Sequence, residues 1–563
     1  MPRTYPRIVF GLYALELKKD ATFSATDKQT FSNLTDLKKN TVTSKPYATY
    51  EPDYWLLDGN YKFKPNDNAH VGLWSLSQSN ASGVFSVPPQ LTITFGSVQS
   101  SDGLTLRFAS ASNDYADDID IAYYDVSNTL IRTDNYTPTS WEFSTGQAVS
   151  NFKKIIVTFN GTNKAYRYLR LTGVDFGELI VFEGSDILEA QVIEEVSLLS
   201  TELPIGTLDF TVFSSSDDFD IFNPAGLYAN LQENQPIDVY EFINSEMVYM
   251  GQYFLKTWVS LSEQKIKFTT VNQIGLMDEL PFYGATMCSG DMLNTIYNFF
   301  YGSNFTYEMD SSLENIFVYG SASNGSYREV LQQILFGAGA YAKCTRSNVI
   351  EILPTPLAAD ITEHEYTIAK SEKGITSSLE LKPLVTGIEI LGHSFDDNIS
   401  GVTFFQKALE AGEHIIVYSR PTILSSYSGC TLLESGDLYN YVKINVASTG
   451  TVTLIGDQYT EYLRKFSVYN ETLPDGTQKN NIFIDAMVAD ESIGTLTQRV
   501  YDYYQQRYLE KTKLFGKSVL VGSSVLIDTL SNRQISGFIE YCSTDLVKGF
   551  VSNIKVVGNV VEL

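Results

Sequence analysis

The amino-acid sequence predicts a mainly β fold with a few helices, of the α+β class. Among its 563 residues are 36 Tyr and 33 Phe but only 4 Trp, and 43% of the chain is hydrophobic. Aromatic and β-branched residues favour strands. Short runs alternate polar and apolar residues at the period of a strand, as Thr207–Phe213 does. At roughly 150 residues per domain, the length predicts three to five structural units.

The chain is strongly acidic, with a formal net charge of −26. This charge argues against a protein that grips nucleic-acid phosphates or an anionic membrane. Residues 171–255, which we call the acidic stretch, contain sixteen Asp and Glu and no Lys or Arg. The stretch also has strand patterns, because residues 237–243 and 247–255 flank Asn244-Ser245-Glu246 like the arms of a hairpin. It is either a wall that repels a passing polyanion such as DNA or a solvated face that maintains solubility; charge alone favours the second.

The N-terminal third is predicted to be built of strands. The first strand covers residues 7–17, and a polar connection follows through Lys45-Pro46. Residues 71–183 have the pattern of a self-contained β unit, with turn-like clusters at a spacing typical of a sandwich. Its predicted strands are 91–95, 104–108, 119–125, 154–159, 166–171 and 178–183.

Three helices are predicted in the remainder of the chain. Residues 291–301 follow Ser289-Gly290, which we expect to cap a helix. Residues 326–336 begin with Ser326 and have Glu329 three positions later, the spacing of a capping box, and they end at Gly337-Ala338-Gly339. Residues 495–511, which follow Gly494, form the longest predicted helix, with Leu496, Val500 and Tyr504 on one face. The other predicted strands are 340–344, 349–353, 519–521, 524–529, 534–543 and 550–557, and the last four suggest a small meander or barrel.

Two groups of carboxylates could hold a hard cation such as Ca²⁺. One contains Asp114, Asp117, Asp118 and Asp120, and the other contains Asp217, Asp218 and Asp220. The EF-hand spacing is absent from both, so a charged loop that enters a strand is the favoured interpretation. The four cysteines, Cys288, Cys344, Cys430 and Cys542, lie far apart and form no C-x-x-C pair or cluster with His70, His364, His393 or His414. We therefore expect isolated thiols, no metal site and no cofactor.

No catalytic constellation is evident in the sequence. The motifs G-x-S-x-G, H-E-x-x-H and the P-loop are absent. Residues 337–342 (GAGAYA) match G-x-G-x-x-A, but they follow a predicted helix and lead into a strand, the reverse of a dinucleotide site. Cys288 with a distant His is a formal nucleophile–base pair with little support. With 66 acidic residues, a carboxylate pair for glycoside hydrolysis stays open, but no particular pair stands out. We therefore expect no catalytic residues in this chain.

The aromatic residues of the 71–183 unit allow two interpretations. They are Trp74, Trp141, Tyr115, Tyr123 and Tyr124. Aromatic rings at the edge of a sandwich can stack on sugars, but in a small sandwich they more often belong to the core.

Residues 1–20 lack a secretory signal pattern, and no apolar run approaches the roughly 20 residues of a spanning helix. These features predict a soluble protein that is made in a cytoplasm.

Several segments are similar to phage tail proteins. The 71–183 unit resembles the galactose-binding-like (discoidin-type) jelly roll inserted in tail proteins of bacteriophages and prophages, through VGLWSLSQSN, PPQLTITF, DIDIAYYD and KKIIVTFNGTNKAYRYLRLTGVDFGELIVF. The flanking sequence resembles the baseplate hub, or tail-associated protein, through EEVSLLSTELPIGTLDFTV, PIDVYEFINSEMVYMGQYFL, DMLNTIYNFFYG and SYREVLQQILFGAGAYAKCTRSNVIEILP. The segment VGSSVLIDTLSNRQISGFIEYCSTDLVKGFVSNIKVVG resembles the closing β module of that family.

The resemblance implies hub β-barrel-like domains with an inserted β-sandwich. It further implies a homotrimer at the distal end of a tail tube, at the virion tail tip, assembled in the bacterial host cytoplasm. Expected partners are the tail tube and distal tail proteins, a spike or fibre and the tape-measure protein, while DNA passes without specific binding. The inserted sandwich is expected to contact either a host glycan or a neighbouring baseplate protein. Many family members continue into a hydrolase or fibre domain, whereas this chain ends at Leu563, so we expect a separate lytic or spike partner.

The resulting organisation has six segments. They are an N-terminal hub β segment (1–70), the inserted sandwich (71–183), an acidic hub β-domain (184–285), an α+β hub domain (286–380), a second β-rich hub domain (381–490) and a helix with the closing β module (491–563). Two other functions compete with the hub. One is a glycan-binding surface adhesin, which the missing signal peptide disfavours, and the other is a cell-wall glycan hydrolase.

Overall fold

The computed structural model describes residues 4–13, 15–38, 49, 51–52, 54, 71–109, 112–214, 220–222, 231–244, 246–283, 287–374, 376–396, 401–418, 420–436, 439–474, 478–490 and 493–561. As predicted, the protein is mainly β with a few helices. It divides into two compact units. The scaffold unit contains Met1–Pro6, Glu183–Ser216 and Tyr240–Leu563, and the sandwich unit contains Arg7–Phe182 and Asp217–Val239. The sandwich unit therefore interrupts the scaffold unit twice along the chain.

The helices of the described residues are α1 (Leu15–Asp20), α2 (Gln273–Glu279), α3 (Met292–Phe300), α4 (Tyr327–Gly337) and α5 (Ile493–Tyr504). The first strands are β1 (Thr4–Tyr13), β2 (Thr22–Ala25), β3 (Leu73–Gln78), β4 (Gln90–Ser101), β5 (Leu104–Phe108), β6 (Asp118–Tyr124), β7 (Leu130–Tyr136), β8 (Glu142–Ser144), β9 (Val149–Gly161), β10 (Tyr168–Glu183), β11 (Ile187–Glu195) and β12 (Thr207–Phe213). They are followed by β13 (Pro236–Ile243), β14 (Glu246–Ser262), β15 (Lys265–Val271), β16 (Met287–Asp291), β17 (Tyr307–Met309), β18 (Phe317–Ser321), β19 (Ala340–Cys344), β20 (Ile350–Pro354), β21 (Tyr366–Ile368), β22 (Ser378–Leu381), β23 (Gly387–Asp396) and β24 (Val402–Leu409). The last are β25 (Gly412–Val417), β26 (Thr422–Ser428), β27 (Thr431–Glu434), β28 (Tyr441–Val446), β29 (Gly450–Gln458), β30 (Thr460–Tyr469), β31 (Asn481–Ala486), β32 (Val488–Asp490), β33 (Tyr508–Phe515), β34 (Ser524–Asp528), β35 (Gln534–Asp545) and β36 (Val551–Val560).

The sandwich unit contains two antiparallel layers with one apolar core. One layer has the strand order β2-β4-β9-β6-β7, and the other contains β3, β10, β5 and β8. Buried side chains of both layers meet, and the Phe95 ring packs edge-on against Phe152 (centroids 5.5 Å apart) and Phe176 (5.2 Å). The predicted strands 166–171 and 178–183 merge into the long strand β10. Strand β7 was not predicted, because most of its side chains are exposed and it lacks the apolar alternation of a half-buried strand.

The scaffold unit contains a long antiparallel run of strands in the order β22-β33-β36-β35-β11-β12-β15-β14, with β34 paired to β35. The predicted hairpin is confirmed, because Asn244 (φ 52°) forms the turn between neighbouring strands β13 and β14. The described residues of this unit also form five three-stranded sheets. Their strand orders are β16-β18-β32, β17-β20-β19, β30-β23-β31, β24-β29-β26 and β25-β28-β27. Residues 519–521, predicted as a strand, form none.

All three predicted helices are present in the structure, but some of their ends differ from the predicted ones. The capping box of α4 is confirmed, since the Ser326 side chain accepts from Glu329 N, and the helix ends as the GAGAYA segment predicts, with Gly339 at φ 63°. Helix α3 is capped by Asp291, the last residue of β16, whose carboxylate accepts from Asn294 N at 2.8 Å, and not by the expected Ser289-Gly290. Helix α5 ends at Tyr504, because the chain then enters β33, which pairs with β36.

Candidate functional site

The acidic stretch is divided between the two units, and part of its charge is neutralised by cations from distant parts of the sequence. In the sandwich unit, the fully buried Asp175 forms ion pairs with Lys18 and Arg107. Burial alone would raise the pKa of Asp175, but these two cations hold it below its ordinary value. In the scaffold unit, Glu194 receives two hydrogen bonds from Arg346, at 3.2 and 2.9 Å. The stretch is therefore not one continuous surface of unneutralised carboxylates.

Three acids of the acidic stretch share one side of strands β11 and β12, next to which strand β15 pairs with β12. The strand register aligns Glu189 with Thr211, and Thr211 with Lys267. It also places Asp209 beside Gln191 and Thr269. The alternate residues are buried, among them Phe210, which stacks on Phe268 with centroids 4.8 Å apart. We call the polar side of these three strands, with Glu189, Glu195 and Asp209 as its acids, the acidic face.

The other acids of the stretch have different surroundings. Asp220 is half-buried, and its carboxylate accepts from Phe222 N at 3.0 Å. Asp217 and Asp218 lie outside the described residues. Glu241 on β13 is fully buried. Burial raises the pKa of Glu241 from its ordinary value of 4.5 to about 8, and a hydrogen bond with Thr4 opposes this shift only in part. The Glu241 carboxyl is therefore largely protonated at neutral pH.

The predicted acid cluster of the sandwich unit separates into two groups. Asp114 is buried and forms ion pairs with Lys164 (2.7 Å), Arg167 (3.4 Å) and Arg170 (3.4 Å). Burial raises the pKa of Asp117, which is half-buried. Neither residue joins a cation-binding ring: within the described residues, no group of three or more His, Cys, Asp and Glu is arranged to hold a metal ion.

Asp118 and Asp120 form a polar cluster at the surface of strands β6, β7 and β9. The Asn135 side-chain amide donates to Asp118 Oδ1 (2.9 Å) and to Asp120 Oδ1 (3.0 Å). The Asn160 amide donates to Asp120 Oδ2 (2.8 Å). Asp118 and Asn135 are exposed, whereas Asp120 and Asn160 are half-buried. We call these four residues the Asp–Asn cluster. It offers carboxylate acceptors and amide donors to solvent.

The five aromatic residues singled out in this unit are buried or half-buried, as the core interpretation expects. Tyr123 is in the core, and burial raises its pKa above the ordinary value of 10. Trp74 is only 4% exposed. Trp141 and Tyr115 pack against the same core. Tyr124 is half-buried and has the Lys154 ammonium 4.1 Å from its ring centroid. A wide open stacking platform for a sugar ring is not formed by these residues.

A buried charge network around Arg170 was not evident from the sequence. The Arg170 guanidinium pairs with Glu51 and lies over the rings of Tyr54 (4.2 Å) and Trp74 (4.5 Å). The Glu51 carboxylate also accepts from Tyr168 N at 2.9 Å. Glu51 and Arg170 are 119 positions apart, so no local pattern links them. These contacts hold Glu51 and Tyr54 against strand β10 of the sandwich unit.

The cysteines and histidines show no nucleophilic pairing among the described residues. Burial raises the pKa of Cys344 to about 12 and that of Cys542 to about 11, so both are protonated thiols at neutral pH. Burial also raises the pKa of Cys430. The side chain of Cys288 and all of His70 lie outside the described residues. His364 Nε2 is 2.9 Å from the Ser536 hydroxyl, and His414 Nε2 is 2.8 Å from the Glu410 carbonyl.

His393 lies at the centre of a second ionic network, in the scaffold unit. Its Nδ1 is 2.6 Å from Glu461 and its Nε2 is 2.5 Å from Asp485. Arg420 also pairs with Glu461, at 3.5 Å. Burial alone would lower the pKa of His393, but the two carboxylates outweigh burial and raise it above 6.5. With a carboxylate at each ring nitrogen, the imidazolium form donates both hydrogen bonds.

A small cavity in the scaffold unit is lined by residues that include Glu194, Gln252, Tyr253, Cys344 and Arg346. Its volume is about 20 Å³. That volume accommodates about one water molecule, whereas small-molecule sites have roughly 300–1,000 Å³. The cavity is therefore too small for a substrate.

In the described part of the chain, the helices are too short or too polar to span a membrane.

No protein-family profile matches the chain, and no curated protein matches its sequence. Among solved structures, it is similar to the tail protein from Neisseria meningitidis MC58, with 7% identity and a TM-score of 0.42 over 68% of this chain and 94% of that chain. It is also similar to a prophage tail protein from Listeria monocytogenes EGD-e, with 11% identity and a TM-score of 0.40 over 68% of this chain and 91% of that chain. The family 32 carbohydrate-binding module of NanJ from C. perfringens, solved with galactose, is similar over 31% of this chain and 99% of its own, with 10% identity and a TM-score of 0.19.

Proposed function

We propose that this chain is a structural component of the tail tip of a bacteriophage or a phage-derived particle. In this proposal it forms a homotrimeric baseplate hub that joins the hexameric tail tube to the spike or fibre and surrounds the DNA exit channel. Its partners are the distal tail and tape-measure proteins, and the chain has no catalytic activity of its own. The hub-like sequence segments support this role, and so does a scaffold unit of many small sheets that the sandwich unit interrupts.

The observation that carries the proposal is the acidic face. Strands β11, β12 and β15 hold Glu189, Glu195 and Asp209 on the side opposite to their buried apolar residues. A channel that conducts DNA must not retain phosphates, and fixed carboxylates repel them within about one Debye length. We infer that the acidic face lines the exit channel. Lys265 and Lys267 lie on the same side, so three acids and two lysines leave the face with a net charge of −1.

The test replaces Glu189, Glu195 and Asp209 together by Lys in assembled particles. Phosphate contacts with three added cations should slow DNA ejection about tenfold at low salt, and high salt should restore the rate, because such contacts release counterions. Particle assembly should be unchanged. The matched control replaces three exposed acids elsewhere, Glu363, Glu410 and Glu471, by Lys, which changes the net charge equally. Equal ejection rates for both triple variants would contradict the channel position.

For the sandwich unit we propose a carbohydrate-binding-like role, in which the unit projects outward and contacts a host glycan. The Asp–Asn cluster supports this role, because carboxylates and amides on a surface provide the acceptors and donors that sugar hydroxyls need. The Asp120→Ala variant should lose retention on a column of host cell-wall glycan. The Asp102→Ala variant, which alters an exposed acid of the same unit, should retain it. Equal retention of both variants would argue for a neighbouring baseplate protein as the partner.

A further inference from the structure

Strands β33 and β36 carry three lysines on one side of the scaffold sheet. Lys511 on β33 is directly opposite Lys555 on β36, and Lys513 is two residues further along β33. Residues in such positions project to the same side of an antiparallel sheet. The alternate residues Leu514 and Ile554 belong to the apolar core, so the lysines face away from it. We call Lys511, Lys513 and Lys555 the lysine patch.

The lysine patch carries more positive charge than its surroundings neutralise. Within the described part of the chain, its ion pair is formed by Lys511, whose Nζ lies 2.8 Å from Glu380. Lys513 is exposed, and the Lys555 ammonium lies 4.2 Å from the ring centroid of Tyr541. Three lysines and one glutamate give the patch a net charge of +2, although the whole chain has −26. Because like charges directly opposite each other destabilise a sheet, an anionic partner would relieve the repulsion between Lys511 and Lys555.

The lysine patch and the acidic face lie on the same side of one continuous sheet. Glu195 of the acidic face is opposite Tyr541 on β35. Tyr541 is opposite Lys555 on β36, and the row continues to Lys511 on β33. With neighbouring strands about 4.8 Å apart, this row spans roughly 14 Å from β11 to β33. If the acidic face lines the exit channel, the lysine patch therefore lines the same wall.

We propose that the lysine patch contacts the phosphates of DNA in the exit channel. The inference rests on the proposed channel and adds a point of attraction to its wall. Lysine ammonium groups bind phosphates as point charges and read no base sequence. A duplex carries one negative charge per roughly 1.7 Å of its axis, so passing DNA presents phosphates to the patch continuously. The acidic face on the neighbouring strands repels the same phosphates and confines the contact to the patch.

These contacts are weak enough to let DNA pass. Lys513 and Lys555, the lysines of the patch outside the Glu380 pair, are far fewer than the roughly six to ten phosphate contacts of a DNA-binding protein. Each contact makes the logarithm of affinity fall with the logarithm of salt concentration at a slope of about 0.9. Two contacts therefore lose about tenfold in affinity between about 50 and about 200 mM salt. The patch retards DNA at low salt and releases it at higher salt.

The test measures DNA ejection from assembled particles that carry Lys513→Gln together with Lys555→Gln. This double variant should eject DNA faster than the wild type at about 50 mM salt, and the ratio of the two rates should fall about tenfold by about 200 mM. Lys407→Gln with Lys479→Gln is the matched control, because it removes two exposed lysines outside the patch. The control should eject DNA like the wild type. Lys513→Arg with Lys555→Arg keeps both charges and should also behave like the wild type.

The triple Lys replacement of the acidic face separates this inference from the proposed channel. If that variant slows ejection while the Gln double variant ejects DNA like its control, the channel stands and the phosphate contact is refuted. If neither variant changes ejection, the channel position is refuted and the inference falls with it. A rate increase that persists unchanged at high salt would also overturn the phosphate contact. So would a Gln double variant that is folded by circular dichroism but fails to enter particles, which would identify an acidic tail protein as the partner.

Discussion

Replacement of Glu241 by Gln should stabilise the scaffold unit at alkaline pH. Glu241 is fully buried, and its pKa in the folded chain is about 8 instead of 4.5. The folded chain therefore keeps a proton that the unfolded chain loses above pH 4.5. The free energy of unfolding therefore falls as the pH rises from 4.5 to 8, because only the unfolded chain releases the Glu241 proton in this range. Above pH 8 the folded chain also releases it, and the loss of stability levels off. Gln is neutral at every pH and avoids this loss.

The size of the stability effect follows from the shift in the pKa of Glu241 from 4.5 to about 8. One pKa unit corresponds to about 1.4 kcal/mol, so the full penalty above pH 8 would be roughly 5 kcal/mol. Relaxation and water around a charged carboxylate reduce such penalties, and we expect about 2 kcal/mol. In thermal unfolding of the full chain, Glu241→Gln should raise the midpoint of the scaffold transition by about 3–5 °C at pH 8.5 and by less than about 1 °C at pH 5.

The control for this prediction is Glu189→Gln, which removes an exposed carboxylate of the same unit. It should leave the pH dependence of the midpoint unchanged. A Glu241→Gln chain whose midpoint follows the wild type at both pH values would show that the Glu241 carboxyl is ionised and solvated in the folded protein. The argument from burial would then be wrong.

Three other changes test the separate units. Phe152→Ala in the sandwich core should lower the stability of that unit by about 3–5 kcal/mol, and calorimetry should show one shifted transition; a shift of both transitions would refute independent cores. Arg170→Ala leaves the buried Glu51 without its cation and should cost about 3–5 kcal/mol in the same transition, whereas a cost below about 1 kcal/mol would mean that the pair is solvated. For His393, whose pKa is raised, stability is full below pH 6.5 and declines as the pH rises through the folded pKa. His393→Gln should abolish this decline in unfolding measured between pH 6 and 9, and an unchanged decline would exclude His393 as its source.

Local elements of the fold could be predicted from the sequence because their signals are local. Period-two alternation located β5 and most of the sandwich strands, and the Ser326–Glu329 capping box located the start of α4. The end of α5 was placed at residue 511 instead of Tyr504, because the spacing of Leu496, Val500 and Tyr504 gives no stop signal. What ends the helix is the pairing of β33 with β36, a non-local interaction.

The candidate sites depend on contacts between distant residues and were largely beyond sequence reasoning. Counting charges identified the acidic stretch, but the cations that neutralise Asp175 and Glu194 come from elsewhere in the chain. Glu194 and Arg346 are 152 positions apart. The partners of His393 are likewise separated from it by 68 and 92 positions. The division into neutralised and outward-facing acids follows from the strand register, which no single stretch of sequence encodes.

The central claim is that the chain acts as a trimeric tail hub, and its mass in solution tests this most directly. Light scattering should be performed on the purified chain alone and with its tail-tube protein. We expect a mass three times the 62.9 kDa of one chain, either in isolation or on addition of the tube. A persistent monomer that never joins the tube and is retained on glycan columns would contradict the hub and favour the glycan-binding adhesin.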